Sequence, residues 1–470
     1  MLFSLSRRGA PIRYLAVLLI VGSGSNAVPA QGLPKTSVAF NRGVIEAPAN
    51  ESPTVSPTLA LYFDPLQGES SEDLVRRALS SNGELVAVRL DIERARARLR
   101  QAGVRPNPTV DFEQTTGGLT GSAGERETSI GVSVPLEVAG QRRRRIDLAQ
   151  AELEATEADV AERERKLAGE VLGAYAEALS ALRELEITEG LNDIDLQTAR
   201  FVQARVNEGD TAPIELSLLQ VEVDRLKSRR ALVEGRLQAA LLRLKSLSGI
   251  ALSEPLRLRE SLSTTQSSWQ RPASVDAAIE IALRTRPDLR LARLNEEVAR
   301  AGLSLARAQA APDVVATTKY SQVRSVFDET PVGPIRDRDK LLTFGVSVGI
   351  PVFNRNSGAK AEAALAITQA THRREFLETV IRAEVASAYA RVDAVQRALV
   401  IFDQGVIGRS NDNIRAIRAA YQIGEFKITD LLAEQRRLLD SQRDSTETLT
   451  ERYRALADLQ SAMGMSAQPK

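Results

Sequence analysis

The chain has 470 residues, 43% of them apolar and 26% charged, with a formal net charge of +1. That balance describes a folded chain, and its near neutrality gives no support to a nucleic-acid partner. With no cysteine and one histidine, disulfides, thiolate metal sites, a cysteine nucleophile and an acylated cysteine are excluded; His372, between Thr371 and Arg373, reads as a solvated surface residue.

The first element is an export signal. Arg7, Arg8 and Arg13 precede a short apolar run over residues 14–21, then small residues lead to Val28-Pro29-Ala30. This pattern predicts a signal peptide over residues 1–30 cut after Ala30, with Ala27 as the alternative. Removing it leaves 59 basic against 61 acidic side chains. Residues 31–70, rich in Pro, Ser, Asn and Thr, read as an extended N-terminal tail.

From there the chain is written twice. Leu167, Val171, Ala174, Ala178, Ala181 and Leu185 alternate steps of four and three, as do Ile381, Val385, Ala388, Val392, Val395 and Leu399. Such spacing keeps one apolar stripe of a helix against a neighbouring helix. Other landmarks recur as well: Gly131-Val132-Ser133-Val134 as Gly345-Val346-Ser347-Val348, Tyr175 as Tyr389, Gly209 as Gly424, and Gln220 as Gln435. The first repeat covers residues 71–248 and the second 275–464, with a linker at 249–274. In repeat one a helix is expected over about 72–104, a long helix over about 141–206, a sharp turn at 207–213 and a helix to 247. Repeat two gives helices at about 275–309, 358–421 and 428–463. A helix of about 65 residues is ~100 Å long, far more than a single globular domain uses.

Between the first and second helices of each repeat the period changes from 3.6 to 2. Strands are expected at about 108–116, 127–136, 313–323 and 341–352. Val110, Phe112, Ile130, Val132, Val134, Phe344, Val346 and Val348 would share an apolar, lipid-facing side, with small or polar residues on the other. Four strands cannot close a membrane barrel, because no sheet edge can stay open in lipid. The wall would have to be shared between subunits. Arg142, Arg143, Arg144 and Arg145 fall where the second strand passes into the long helix. Cations there oppose the helix dipole, which points to an anionic partner.

The ordered set Arg105-Pro106-Asn107-Pro108, Ser133-Val134-Pro135-Leu136 through Gly140-Gln141-Arg142, Gly349-Ile350-Pro351-Val352-Phe353 and Ala420-Tyr421-Gln422-Ile423-Gly424 resembles the TolC family of outer-membrane efflux proteins, in its CzcC-like branch. The resemblance spans about residues 71–464. It implies a membrane β-barrel joined to a long α-helical barrel: a homotrimer closing 12 strands in the outer membrane and a helical tunnel across the periplasm. It further implies a passive exit duct for metal ions or small molecules, fed by a periplasmic adaptor (membrane fusion protein) and an inner-membrane RND-type pump. By the same resemblance, Tyr421, Asp430 and Glu215 match a periplasmic gate: a tyrosine, a constriction aspartate and the acid that bonds the tyrosine. The match is incomplete, since Phe426 replaces an arginine and Ala433 the second aspartate, with Glu434 one position on. The same fold also serves protein secretion, and an exported coiled-coil protein that conducts nothing is the reading from another class. No catalytic constellation, cofactor site or metal site is visible, so the chain is not expected to be an enzyme.

Overall fold

The computed structural model describes residues 58–119, 124–262, 271–327, 333 and 335–465. The signal-peptide expectation and most of the tail lie outside these residues. Helix α1 (Ser71–Ser81) opens with a capping box, in which Asp73 N donates to Ser70 Oγ (3.1 Å) and Ser70 N donates to Asp73 Oδ2 (3.3 Å). Asn82 then ends α1 and caps α2 (Gly83–Ala102), its Oδ1 accepting from Leu85 N at 3.0 Å. The single helix expected over 72–104 is therefore two. Repeat two breaks at the matching place for a different reason, between α5 (Val275–Thr285) and α6 (Pro287–Ala308): Arg286 is extended because a proline follows it.

Helix α3 (Gln141–Glu208) is 68 residues long and uninterrupted. After a tight turn α4 (Pro213–Ser248) runs back along it. The second long rod differs. Helix α7 (Ser357–Ile401) passes into a five-residue π-helical segment, Phe402–Val406, before α8 (Ile407–Gln422) and the returning α9 (Ile428–Ala462). All six heptad residues expected in α7 are buried, as are Val171, Ala174, Ala178 and Leu185 in α3. Helix α3 also packs on α6 and α9, so the two repeats form one layer of helices.

Each repeat contributes two strands to one antiparallel sheet of order β1-β2-β3-β4: β1 (Thr109–Thr116), β2 (Arg126–Leu136), β3 (Asp313–Phe327) and β4 (Ile335–Gly349). Strands β3 and β4 extend further toward their hairpin than the apolar alternation suggested. There the ladder continues through Arg324↔Arg338 and Ser325↔Asp337, where side-chain polarity no longer reports it.

The tail and linker are not merely extended. Asp64 N donates to Leu258 O (2.9 Å), Leu258 N to Tyr62 O (2.8 Å) and Glu69 N to Arg257 O (2.8 Å), with Leu258 fully buried. The recurring tyrosines tie each long helix to the backbone just ahead of its repeat's first helix: Tyr175 Oη donates to Glu69 O and Tyr389 Oη to Pro272 O, both at 3.3 Å. Arg286, only 4% exposed, grips Asp288 (2.6 Å), Glu384 (2.6 Å) and the α9 terminal carbonyl of Ala462 (3.2 Å). Arg286→Met should cost about 3 kcal/mol, the low end for a broken buried pair because Glu384 stays half exposed. Thermal unfolding checks this; an unchanged melting temperature would show the grip to be idle.

Candidate functional site

The register builds two chemically distinct sheet faces. Val110, Val132, Thr318 and Phe344 stand in one row across the four strands, and Phe112, Ile130, Tyr320 and Leu342 in the next. All eight residues expected to face lipid lie on this side, and all are exposed, Phe112 by 68% and Phe344 by 74%. The other face carries Asp111, which accepts from Ser133 Oγ (3.3 Å), and Glu113, bonded to Lys319 Nζ at 2.7 Å across β2. Edge strands β1 and β4 have no further strand partner among the described residues. No described helix is long and apolar enough to cross a membrane.

At the foot of the sheet, two of the four arginines are already held by backbone carbonyls. Arg142 Nε donates to Gly103 O (2.7 Å), and Arg145 bonds Val104 O (3.2 Å) and Glu137. These cations satisfy carbonyls left unpaired at the end of α2, where positive charge is favoured. Arg144 is 3.4 Å from Asp147, and Arg143 is exposed with no ion pair among the described residues.

The far end of the rods holds two equivalent turns. Gly209 (φ +81°) and Gly424 (φ +83°) both adopt the left-handed conformation that ends a helix, which a side chain would strain. The same bonds recur: Asp210 N to Arg205 O at 2.9 Å, and Glu425 N to Ala420 O at 3.0 Å. Glu215 and Asp430 are each the third residue of the helix that follows. The duplicated position has diverged. Asp430 is exposed and accepts from Lys427 N at 3.1 Å, capping α9, whereas Glu215 Oε2 accepts from Tyr421 Oη at 3.0 Å, linking the two turns. Tyr421 is 3% exposed, and burial, then Glu215, pushes its pKa up to about 12, so it stays a donor. Glu434 is buried and held by Arg437 (2.9 Å), which compensates its charge within the chain. It does not join Asp430's exposed surface.

One residue near this end escaped the sequence reading. Asp195, 2% exposed, accepts from Gln435 Nε2 at 2.6 Å between α3 and α9. Its signal was a carboxyl on the heptad stripe itself, seven residues before buried Val202. Burial is the main cause that raises its pKa from 3.8 to about 6; Glu222 of α4 adds to the rise, while the Gln435 bond and Arg418 of α8 oppose it. A carboxyl raised by folding stabilises the packed form fully below pH 3.8, and that contribution is lost as pH rises through about 6. Parent protein should therefore lose on the order of 2–3 kcal/mol of stability between pH 4 and 7 that Asp195→Asn keeps. Melting curves over that range test it, and parallel pH profiles would refute it.

Among the described residues, no group of three or more His, Cys, Asp or Glu side chains is arranged to hold a metal. The sequence profile of the family described as outer membrane efflux protein matches residues 74–250 and 278–465, one block per repeat. The cobalt-zinc-cadmium resistance protein CzcC of Cupriavidus metallidurans is 22% identical over 395 residues, covering 82% of this chain and 88% of CzcC. The pyoverdine export outer membrane protein OpmQ of Pseudomonas putida is 24% identical over 443 residues, covering 88% and 89%. The crystal structure of CusC superposes with a TM-score of 0.69 at 21% identity, covering 86% of this chain and 96% of CusC. With both repeats matched over nearly their whole length, the chain belongs to the outer membrane efflux protein family, whose members are channels of the outer membrane.

Proposed function

We propose that three copies of the chain close a 12-stranded barrel in the outer membrane and a helical tunnel below it. The observation that carries this reading is the four-stranded sheet with one apolar face and two open edges, an arrangement that lipid does not tolerate in a lone chain. Helix α4 adds support, since Ile214, Leu218 and Val221 form an exposed apolar stripe at heptad spacing. Native mass spectrometry of the detergent-extracted protein should give three chains; a monomer or dimer would refute the closure.

In this reading the channel performs no chemistry. It is the exit of a tripartite efflux system, passing metal ions or small molecules that an inner-membrane RND-type pump selects and a periplasmic adaptor relays. The names of CzcC and OpmQ, a cobalt-zinc-cadmium resistance protein and a pyoverdine export protein, support both cargo classes. Deletion of the gene, scored for sensitivity to metals and organic compounds, discriminates them. Tyr421 and Glu215 act as the lock of a gate at the periplasmic end, and three exposed Asp430 side chains form a ring that attracts cations there. At ~6 Å separation three such charges repel by ~3 kcal/mol per pair at an effective dielectric of 20, so divalent cations would block the parent channel and not Asp430→Ala.

Arg143 and Arg144 would face anionic headgroups of the inner leaflet. Replacing both by Gln should weaken insertion into vesicles with anionic lipid more than into neutral ones, and indifference to lipid charge would refute the contact.

A further inference from the structure

The two repeats are not in constant register. The heptad residues stand 214 apart up to the pair Leu185 and Leu399, whereas Gly190 and Gly405, Gly209 and Gly424, and Gln220 and Gln435 stand 215 apart. Repeat two therefore carries one extra residue between Leu399 and Gly405. The π-helical segment Phe402–Val406 spans that point, and α3 has no counterpart to it. In an α-helix one inserted residue would rotate everything beyond it by ~100°. A π turn takes up the extra residue and keeps the flanks in phase. The phase is indeed kept: counted at 215, Ala199, Val202 and Val206 of α3 correspond to Ile414, Ile417 and Tyr421 of α8, and all six lie in one apolar cluster.

What lies beyond the π segment is loosely held. Helix α8 buries only Ile414 and Tyr421, and it packs chiefly on α9. A groove of about 670 Å³ separates it from α3, bordered by Gly190 and Ile194 on one side and Gly408 and Arg415 on the other. Gly405 and Gly408 further weaken the helix where the groove begins, since glycine is the poorest helix former after proline. Val406 and Tyr421 lie fifteen residues apart, a lever of ~22 Å, so a bend of ~10° moves Tyr421 by ~4 Å. That is enough to break its 3.0 Å bond to Glu215.

We propose that the π segment Phe402–Val406 is the hinge on which α8 swings toward the groove beside α3, carrying Tyr421 off Glu215. The hinge rests on the gate reading above, and one series of variants separates the two. Deleting Gly405 removes the extra residue, restores a continuous α-helix and leaves both flanks in phase. Gly405→Ala stiffens the segment, and its added methyl meets only the Arg409 guanidinium, at 3.6 Å, an ordinary contact.

Open probability is recorded in planar bilayers for the parent, Tyr421→Phe, and Tyr421→Phe combined with each Gly405 change, after trimer assembly is checked. Tyr421→Phe should raise opening at least tenfold. The Gly405 deletion should reverse that rise, and Gly405→Ala should reduce it about fivefold, the helix preference of alanine over glycine. If both combined variants open as fully as Tyr421→Phe alone, the hinge is overturned and the gate stands. If Tyr421→Phe does not open, the gate fails and the hinge with it. Failure of the Gly405 deletion to assemble would overturn the in-phase insertion on which the hinge depends.

Discussion

Val132→Arg should cost ~2–4 kcal/mol per chain if the residue sits near the bilayer midplane, while Ser133→Arg, one residue away, should be tolerated. The contrast follows from the register. Val132 stands in the row of Val110, Thr318 and Phe344, where no cross-strand neighbour is charged, whereas Ser133 bonds Asp111 on the face that also holds Glu113 and Lys319. In a trimer the cost is counted three times, so Val132→Arg should abolish assembly in the membrane. Val346→Arg and Ser347→Arg repeat the comparison in the second copy. Heat-modifiability on gels, measured for all four variants, reads the outcome. Equal loss in both pairs would mean that the sheet does not face lipid on its Val side.

The second large effect is expected at the gate. A hydrogen bond from Tyr421 to a charged Glu215 contributes about 1.5–3 kcal/mol, and three of them in a trimer would bias closed over open by about 10⁴. Tyr421→Phe with Glu215→Gln should therefore raise single-channel open probability by orders of magnitude. The fold should survive, because Phe fills the same buried site among Ile414, Leu431 and Val202. Recordings indistinguishable from the parent would put the closed constriction elsewhere.

Much of this architecture is legible in the sequence because its signals are periodic and occur twice. The heptad stripes from Leu167 and from Ile381 mark which side of each rod is buried, and the alternation of Ile130, Val132 and Val134 with Ser129, Gly131 and Ser133 marks the two sheet faces. Gly209 and Gly424 mark the turns, since each must adopt positive φ. What escaped depends on single residues or on backbone pairing. Asn82 interrupts a long helical pattern with one side-chain cap, and Arg286 does so only because Pro287 follows. The tail at Tyr62 to Glu69 meets Leu258 through main-chain bonds, to which side-chain composition is blind. Glu434 has helical spacing from Asp430 that suggests a shared surface, yet Arg437 and burial remove it from there.

Closure of the barrel requires β1 of one chain to pair with β4 of the next. The natural chain has no cysteine, so introduced pairs report without background. A cysteine at Asp111 is combined with one at Thr343, Gly345 or Ser347, all on the polar face, and the protein is oxidised in its native membrane. In one of the three registers a covalent ladder that stops at three chains is expected. No cross-link in any register, or a ladder that ends at two or runs past three, would contradict it.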